Sequence, residues 1–436
     1  VRHQGCPRRF GQPWCRTRRQ QSGSVTPVFR SESRFRPRAK RYSEPDGGAT
    51  EKLVVRAGLE RDVWCRYPHE LSGGMAQRVG VASALAGNPS VVLADEPTAG
   101  LDRPLVDRTV DQLAALAADG HAVLLITHDL RAAHRVATDL AVMYASRIVE
   151  CGPADEMFSD PWHPYTRGLL AALPDRGFTT IPGDPPELTA LPSPRPVHEH
   201  SRATPARRTS ARLPPGPIQH RAMLTGTGIE AGYLRNHPVL RAVDIEIAPG
   251  EVVGLAGPSG CGKSTLARVL ALLLAPWSGR VDIDGAPAAG VRYRAPRQQR
   301  TAIGVVFQQP RVSVDPRLTL RQAIIEPLRA CQRRLDEDQI AELTDRVGLT
   351  AELLGRRPHE VSDGQLQRAC LARALILQPR YLICDEMTAM LDASTTAALV
   401  DVVSTHTAQT GAGVLAISHD EALLAVWAHR VQRISA

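Results

Sequence analysis

One stretch of this 436-residue chain, Gly257-Pro258-Ser259-Gly260-Cys261-Gly262-Lys263-Ser264-Thr265, fits the pattern G-x-x-x-x-G-K-[ST]. Glycines let a backbone fold so tightly that its N–H groups can surround an anion, and a helix N-terminus adds its own partial positive charge. Lys263 then suits the β- and γ-phosphates of a nucleoside triphosphate, and the Ser264 hydroxyl suits Mg²⁺. Downstream, Tyr381-Leu-Ile-Cys-Asp385-Glu386 is an apolar run ending in two carboxylates. Asp385 is placed to hold Mg²⁺, and Glu386 to act as a base that polarises an attacking water. His419, after the apolar run 413–418, is a candidate to contact the γ-phosphate and position that water.

These residues need strands to carry them. The phosphate loop follows a run read as a strand, Val252–Ala256, and opens a run read as a helix, Ser264–Leu274. Residues 222–436 alternate strand and helix patterns in this way, as an α/β layer does. Residues 51–192 show the same alternation, with strands expected at Val91–Ala94, Ala122–Thr127 and Leu140–Tyr144. The two parts repeat each other: 67–102 (YPHELSGGMAQRV…DEPTAGLD) aligns without a gap with 357–392 (RPHEVSDGQLQRA…DEMTAMLD) at an offset of 290. Such spacing indicates two homologous domains, not a solenoid. The second copy has a long stretch, phosphate loop included, ahead of this segment that the first copy lacks. The first domain is therefore expected to be incomplete, to expose strand edges and to fold poorly alone.

With these motifs in order, the chain resembles the ATP-binding cassette (ABC) ATPases, in the fused double form of the oligopeptide, dipeptide and nickel importers. The resemblance covers roughly 51–192 and 222–434. It implies a P-loop NTPase fold, an α/β core with a helical subdomain, complete in the second copy and incomplete in the first. It gives Gln308, in VVFQQP, a catalytic and Mg²⁺-binding place, and gives Tyr233 the aromatic position that stacks on adenine. The family signature stands as Val361-Ser362-Asp363-Gly364-Gln365 in the second copy. In the first it stands as Leu71-Ser72-Gly73-Gly74-Met75, followed by Asp95-Glu96, Asp102 and His128. FSDPWHPYTRGLLAALP (158–174), with IPGDPPEL (181–188), is similar to the stretch after the cassette in oligopeptide-type members, and on its own residues reads as a turn and an amphipathic helix.

In this family ATP is clamped between one domain's phosphate loop and the other's signature. The resemblance thus implies a composite site of Gly257–Thr265, Gln308, Asp385, Glu386 and His419 against Ser72, Gly73, Gly74 and Asp102. Asp363, where a glycine is usual, should repel phosphates at short range. The implied cofactors are ATP and Mg²⁺. The implied partners are transmembrane permease subunits at the inner face of the cytoplasmic membrane, an extracytoplasmic solute-binding protein at one remove, and cassette pairing within the chain or between copies. Many relatives carry a cysteine cluster after the PGxPP segment, but no Cys occurs between 152 and 260, so no iron–sulfur cluster is expected. Two other readings stay open: a weakly active nucleotide-binding remnant, and a soluble tandem ATPase acting on ribosomes. The latter would be expected to have a long charged helical linker, not a Pro-rich one.

Composition narrows the remainder. The net charge of +8 is uneven, because residues 1–45 hold twelve Lys and Arg against two acidic residues, and 195–221 hold six Arg against one Glu. The basic surplus thus sits in an irregular tail (1–50) and a Pro/Arg-rich linker (193–221), which argues against a nucleic-acid surface on either domain. The tail reads as disordered or out of frame. No apolar run is long enough to span a bilayer, and no signal-peptide pattern is present. Eight cysteines without a C-x-x-C pair fit free thiols. Together these place the chain peripherally, on the cytoplasmic side of a membrane.

Overall fold

The computed structural model describes residues 66–181 and 223–434, apart from 72, 99–100, 102, 235–236 and 390, together with residue 59. The tail 1–50, the linker 193–221, Ser72 and Asp102 lie outside the described residues.

In the first unit, α1 (Gly73–Leu85) leads to β1 (Val91–Asp95), α2 (Arg103–Ala118), β2 (Ala122–Ile126) and α3 (Leu130–Val136). An antiparallel pair follows, β3 (Asp139–Tyr144) and β4 (Arg147–Pro153), and then α4 (Ala154–Ser159) and α5 (Pro164–Ala171). Strands β1 and β2 pair in parallel, Val91 opposite Ala122 through Asp95 opposite Ile126. The FSDPWHPY stretch is the turn into α5, as its residues indicate. The Glu150 carboxylate accepts from the Trp162 and His163 N–H groups (2.7 and 3.1 Å). His163 caps α5 by accepting from Tyr165 N–H, and Pro164 starts the helix where no amide donor is needed.

In the second unit, β5 (Leu224–Ala231), β6 (Leu240–Ile247), β8 (Ser278–Ile283) and β9 (Ala286–Pro287) form an antiparallel sheet in the order β6-β5-β8-β9. The central sheet combines β7 (Val252–Ala256), β10 (Ile303–Val306), β11 (Tyr381–Asp385), β12 (Gly413–Ile417) and β13 (Arg430–Arg433). It is parallel throughout, in the order β10-β11-β12-β7-β13. Strands β7, β11 and β12 are buried at every position. That is why their sequences read as unbroken apolar runs and not as alternations.

Helix α6 (Lys263–Leu270) follows the phosphate loop. It is shorter than the expected 264–274, because Leu272 turns into the left-handed region (φ +59) and the N–H groups of Leu273 and Leu274 fold back on the Arg268 carbonyl. Pro276 then follows. A helical layer comprises α7 (Leu320–Ala330), α8 (Glu337–Arg346) and α9 (Asp363–Leu375), with α7 and α9 in contact. Capping boxes at Thr319/Gln322 and Ser362/Gln365 start α7 and α9. Helix α10 (Ala393–Thr410) leads into β12, and α11 (Glu421–Trp427) into β13. This is the P-loop NTPase core with a helical subdomain that the motifs imply.

The order of the sheet explains the site. Strands β10, β11, β12 and β7 are neighbours and run the same way, so whatever follows each of them lands at one edge. In an open parallel sheet, that carboxyl edge is where ligands sit.

Candidate nucleotide site

Four loops meet at that edge: Gly257–Gly262 after β7, Gln308 after β10, Glu386 after β11, and His419 after β12. Residues distant in sequence therefore surround one cavity of about 330 Å³, lined by Tyr233, Ser259–Thr265 in part, Gln308, Glu386 and His419. Leu101, from the first unit, lines it as well.

The phosphate loop needs its glycines. Gly257 (φ +155), Gly260 (φ +84) and Gly262 (φ +101) all have positive φ, and a Cβ on Gly257 would sit 2.5 Å from the Ile434 carbonyl oxygen. Lys263 is buried, and its Nζ donates to the carbonyl oxygens of Gly257 (2.7 Å) and Pro258 (3.0 Å). Ser264 Oγ donates to Asp385 Oδ1 at 3.0 Å, joining two of the three expected Mg²⁺ ligands. Tyr233 is more than half exposed; its hydroxyl accepts from Arg268 (2.6 Å), whose guanidinium lies 5.8 Å from the ring centroid.

Glu386 is held in the left-handed region (φ +48), with its N–H donating to the Ile417 carbonyl at 3.0 Å. A non-glycine residue in that conformation at a site is the kind of strain that pre-positions a side chain. Gln308 Nε2 donates to Glu386 Oε2 at 2.7 Å, His419 Nδ1 stands 3.9 Å from the same oxygen, and Lys263 Nζ is 4.0 Å from Oε1. Burial by itself would raise the Glu386 pKa, but His419, Lys263 and Gln308 outweigh it and hold the group below the ordinary carboxylate value. Asp385 goes the other way: burial and, less strongly, the neighbouring Glu386 charge push it up to about 6 against the Ser264 hydrogen bond. Adjacent carboxylates are thus driven apart in pKa, a pattern that clusters at functional sites.

The residues expected here from the second copy, the phosphate loop with Tyr233, Gln308, Asp385, Glu386 and His419, are found at or beside this cavity. Gly73 and Gly74 form the first turn of α1, while Ser72 and Asp102 lie outside the described residues. The repulsion expected from Asp363 is tempered, because Arg311 Nε stands 2.6 Å from its Oδ1 and Arg311 also donates to the Pro358 and Val361 carbonyls. Two contributors were missed: Leu101, which lines the cavity, and Arg268, which holds Tyr233.

The first unit repeats part of the arrangement. Glu96 has φ +47, and its N–H donates to the Ile126 carbonyl at 2.9 Å. Its carboxylate lies 2.9 Å from His128 Nδ1 and accepts from the His128 N–H at 3.0 Å. The Glu96 hydrogen bond raises the His128 pKa against the effect of burial, with Asp129 and Asp392 of the second unit adding to it.

Fold and motif order together are those of an ABC-type P-loop cassette. The profile of the ABC transporter family matches residues 7–99 and 240–389, and the chain belongs to that family. The profile of the oligopeptide/dipeptide transporter C-terminal region matches 149–194. Glutathione import ATP-binding protein GsiA of Pectobacterium atrosepticum is 37% identical over 391 residues, covering 87% of this chain and 62% of that protein. GsiA of Escherichia coli K12 is 36% identical over 386 residues, covering 86% and 61%. The chain thus spans about three fifths of the length of the curated relatives it matches. A solved dimeric bacterial ABC transporter cassette is similar at 25% identity, with a TM-score of 0.45 over 49% of this chain and 94% of that one.

Proposed function

We propose that the second unit binds and hydrolyses ATP with Mg²⁺, and that the chain serves as the ATP-binding subunit of an importer for peptide-like or nickel-like solutes. The observation that carries this reading is the convergence of Lys263, the Ser264–Asp385 pair and the Gln308–Glu386–His419 group on one cavity. Hydroxyl, carboxylate and amide oxygens form a hard donor set that suits Mg²⁺, so Ser264, Asp385 and Gln308 would hold the ion. Bound there, it would neutralise charge between the outer phosphates of the nucleotide.

The chain's own groups have separable tasks. The phosphates would draw Lys263 from the two loop carbonyls it now satisfies. Glu386, kept ionised and fixed by Gln308, would orient and polarise the attacking water. His419, 3.9 Å from that carboxylate, would meet the outgoing phosphate. Tyr233, steadied by Arg268, offers its ring to adenine.

The solute class follows from the relatives and from the extension at 149–194. GsiA carries glutathione in its name, and glutathione is a small peptide. Permease subunits at the cytoplasmic face of a membrane are the partners that such an ATPase needs. The segment after Gln308, where Val312 is 79% exposed, would meet them. Among the described residues no helix is long and apolar enough to cross a membrane.

Lys263→Ala tests the core of the proposal. The parent should bind fluorescent ATP and release phosphate, and the variant should lose at least about tenfold in affinity, since it removes a buried cation from a polyanion site. Equal affinity in the two proteins would contradict the reading.

A further inference from the structure

The extension after the first unit reaches into the second. Ala172 and Phe178 are fully buried within the apolar cluster that also holds Val252, Ala256, Leu423 and Trp427, which come from β7, its C-terminal end and α11. The turn Pro174–Arg176 packs on α11, and α5 packs on α10. Gly177 (φ +114) reverses the chain, and Phe178 follows at φ +50. A bulky side chain is kept in that backbone region only where its surroundings over-determine it. Tyr165, on α5, has its hydroxyl pKa pushed up to about 12 by burial, with Asp392 at the start of α10 contributing.

One ion-pair group links this docking to the chemistry. Arg131, on α3 of the first unit, stands 3.3 Å from Asp175 in the extension and 3.4 Å from Asp420 in the second unit. Asp420 is bonded directly to His419 in the chain. It caps α11 by accepting from the Ala422 and Leu423 N–H groups (3.0 and 3.2 Å), and its own N–H donates to Ser418 Oγ at 3.0 Å. The backbone carrying His419 is therefore fixed from three directions, one of them the first unit. Asp129, the matching residue of the first unit, has Arg103 of its own unit at 3.6 Å. Because Ala422 occupies the place equivalent to Arg131, no matching bridge runs from that position of α11 to the first unit among the described residues.

We infer that Arg131, steadied by Asp175, is a positioning residue for the switch histidine His419, so that the first unit and its extension set the geometry of the second unit's hydrolytic loop. This rests on the proposed hydrolysis at the Gly257–Thr265 site. The bridge is only about a quarter exposed at Arg131, so its removal should register at the loop more than in global stability.

The test uses the full chain and Arg131→Ala, Arg131→Lys and Asp175→Asn variants. Hydrogen exchange of the amides at 420–424 should accelerate in R131A, less in D175N, and return part of the way in R131K. In parallel, kcat for phosphate release should fall roughly three- to tenfold in R131A with KM for ATP within about twofold, the signature of a misplaced group and not of lost ground-state binding. Melting temperatures within about 2 °C of the parent would separate positioning from a structural role; Phe178→Ala, by contrast, should lower the melting temperature. Unchanged exchange at 420–424 overturns the inference, as does a raised KM with kcat intact. If the parent itself shows no turnover, the proposed function fails, and the exchange measurement alone still decides whether Arg131 positions the loop.

Discussion

Strands β1 and β2 of the first unit and β11 and β12 of the second are paired in equivalent register, and each β1/β11 strand ends in an Asp-Glu pair whose Glu has positive φ. Their surroundings differ. Strands β11 and β12 lie between β10 and β7 and are buried at every position, whereas β1 and β2 form a two-stranded sheet among the described residues. There Val91, Leu93, Leu124 and Ile126 are each more than half exposed. The carboxylate–imidazole pair is closed in the first unit (2.9 Å) and open in the second (3.9 Å), where Gln308 and Lys263 compete for the same carboxylate. Local sequence alone suffices to build the elbow that holds the glutamate. Neighbouring strands decide whether that elbow faces a phosphate loop.

The sharpest way to break this comparison is a matched pair of variants. Glu386→Gln should cut ATP turnover by roughly 10²- to 10⁴-fold, the range for losing a positioned general base. Glu96→Gln should leave it within about twofold. Comparable losses in both would show that the first unit's pair shares in the chemistry.

Limited proteolysis should separate the units next. A resistant core beginning near residue 223 is expected, with cleavage falling earlier in the chain, because strands exposed on a face open more readily than strands buried on both. Equal resistance of an N-terminal fragment would sink the idea.

A subtler contrast lies in the helix after each acidic strand. Position 116 on α2 is a buried Leu, and the equivalent position on α10 is buried His406. Burial, with Arg346 adding, pushes the His406 pKa down to about 4. The folded chain therefore resists protonation there, while the unfolded chain binds a proton near 6.5. Stability is retained above about pH 6.5 and is lost as pH falls from there toward 4. His406→Leu, which transplants the first unit's residue, should flatten the melting temperature over that window, as read by calorimetry at several pH values.

The motifs were legible because chain neighbours suffice to write them. A phosphate loop needs glycines next to one another, and the acidic pair needs an apolar run before it; both stand in the sequence as they stand in the fold. Strand boundaries at β7 and β11 were readable for a related reason, since burial on both faces leaves unbroken apolar runs. The end of α6 was not, because Leu272 takes a left-handed turn that its residue type does not announce. Asp363 read as a repulsive charge until Arg311, 52 positions earlier, was seen beside it.

The sequence by itself determined which groups could do the chemistry: Lys263, Ser264, Asp385, Glu386 and His419 are marked by residue type and local pattern, and Gln308 by the family resemblance. Tertiary structure alone decided that four of their loops share one edge, because strand order is set by long-range packing and not by chain order. It also decided that Arg131, Leu101 and Phe178 of the first unit belong to the second unit's environment. Contacts across hundreds of residues leave no periodicity to read, so only the packed chain reveals them.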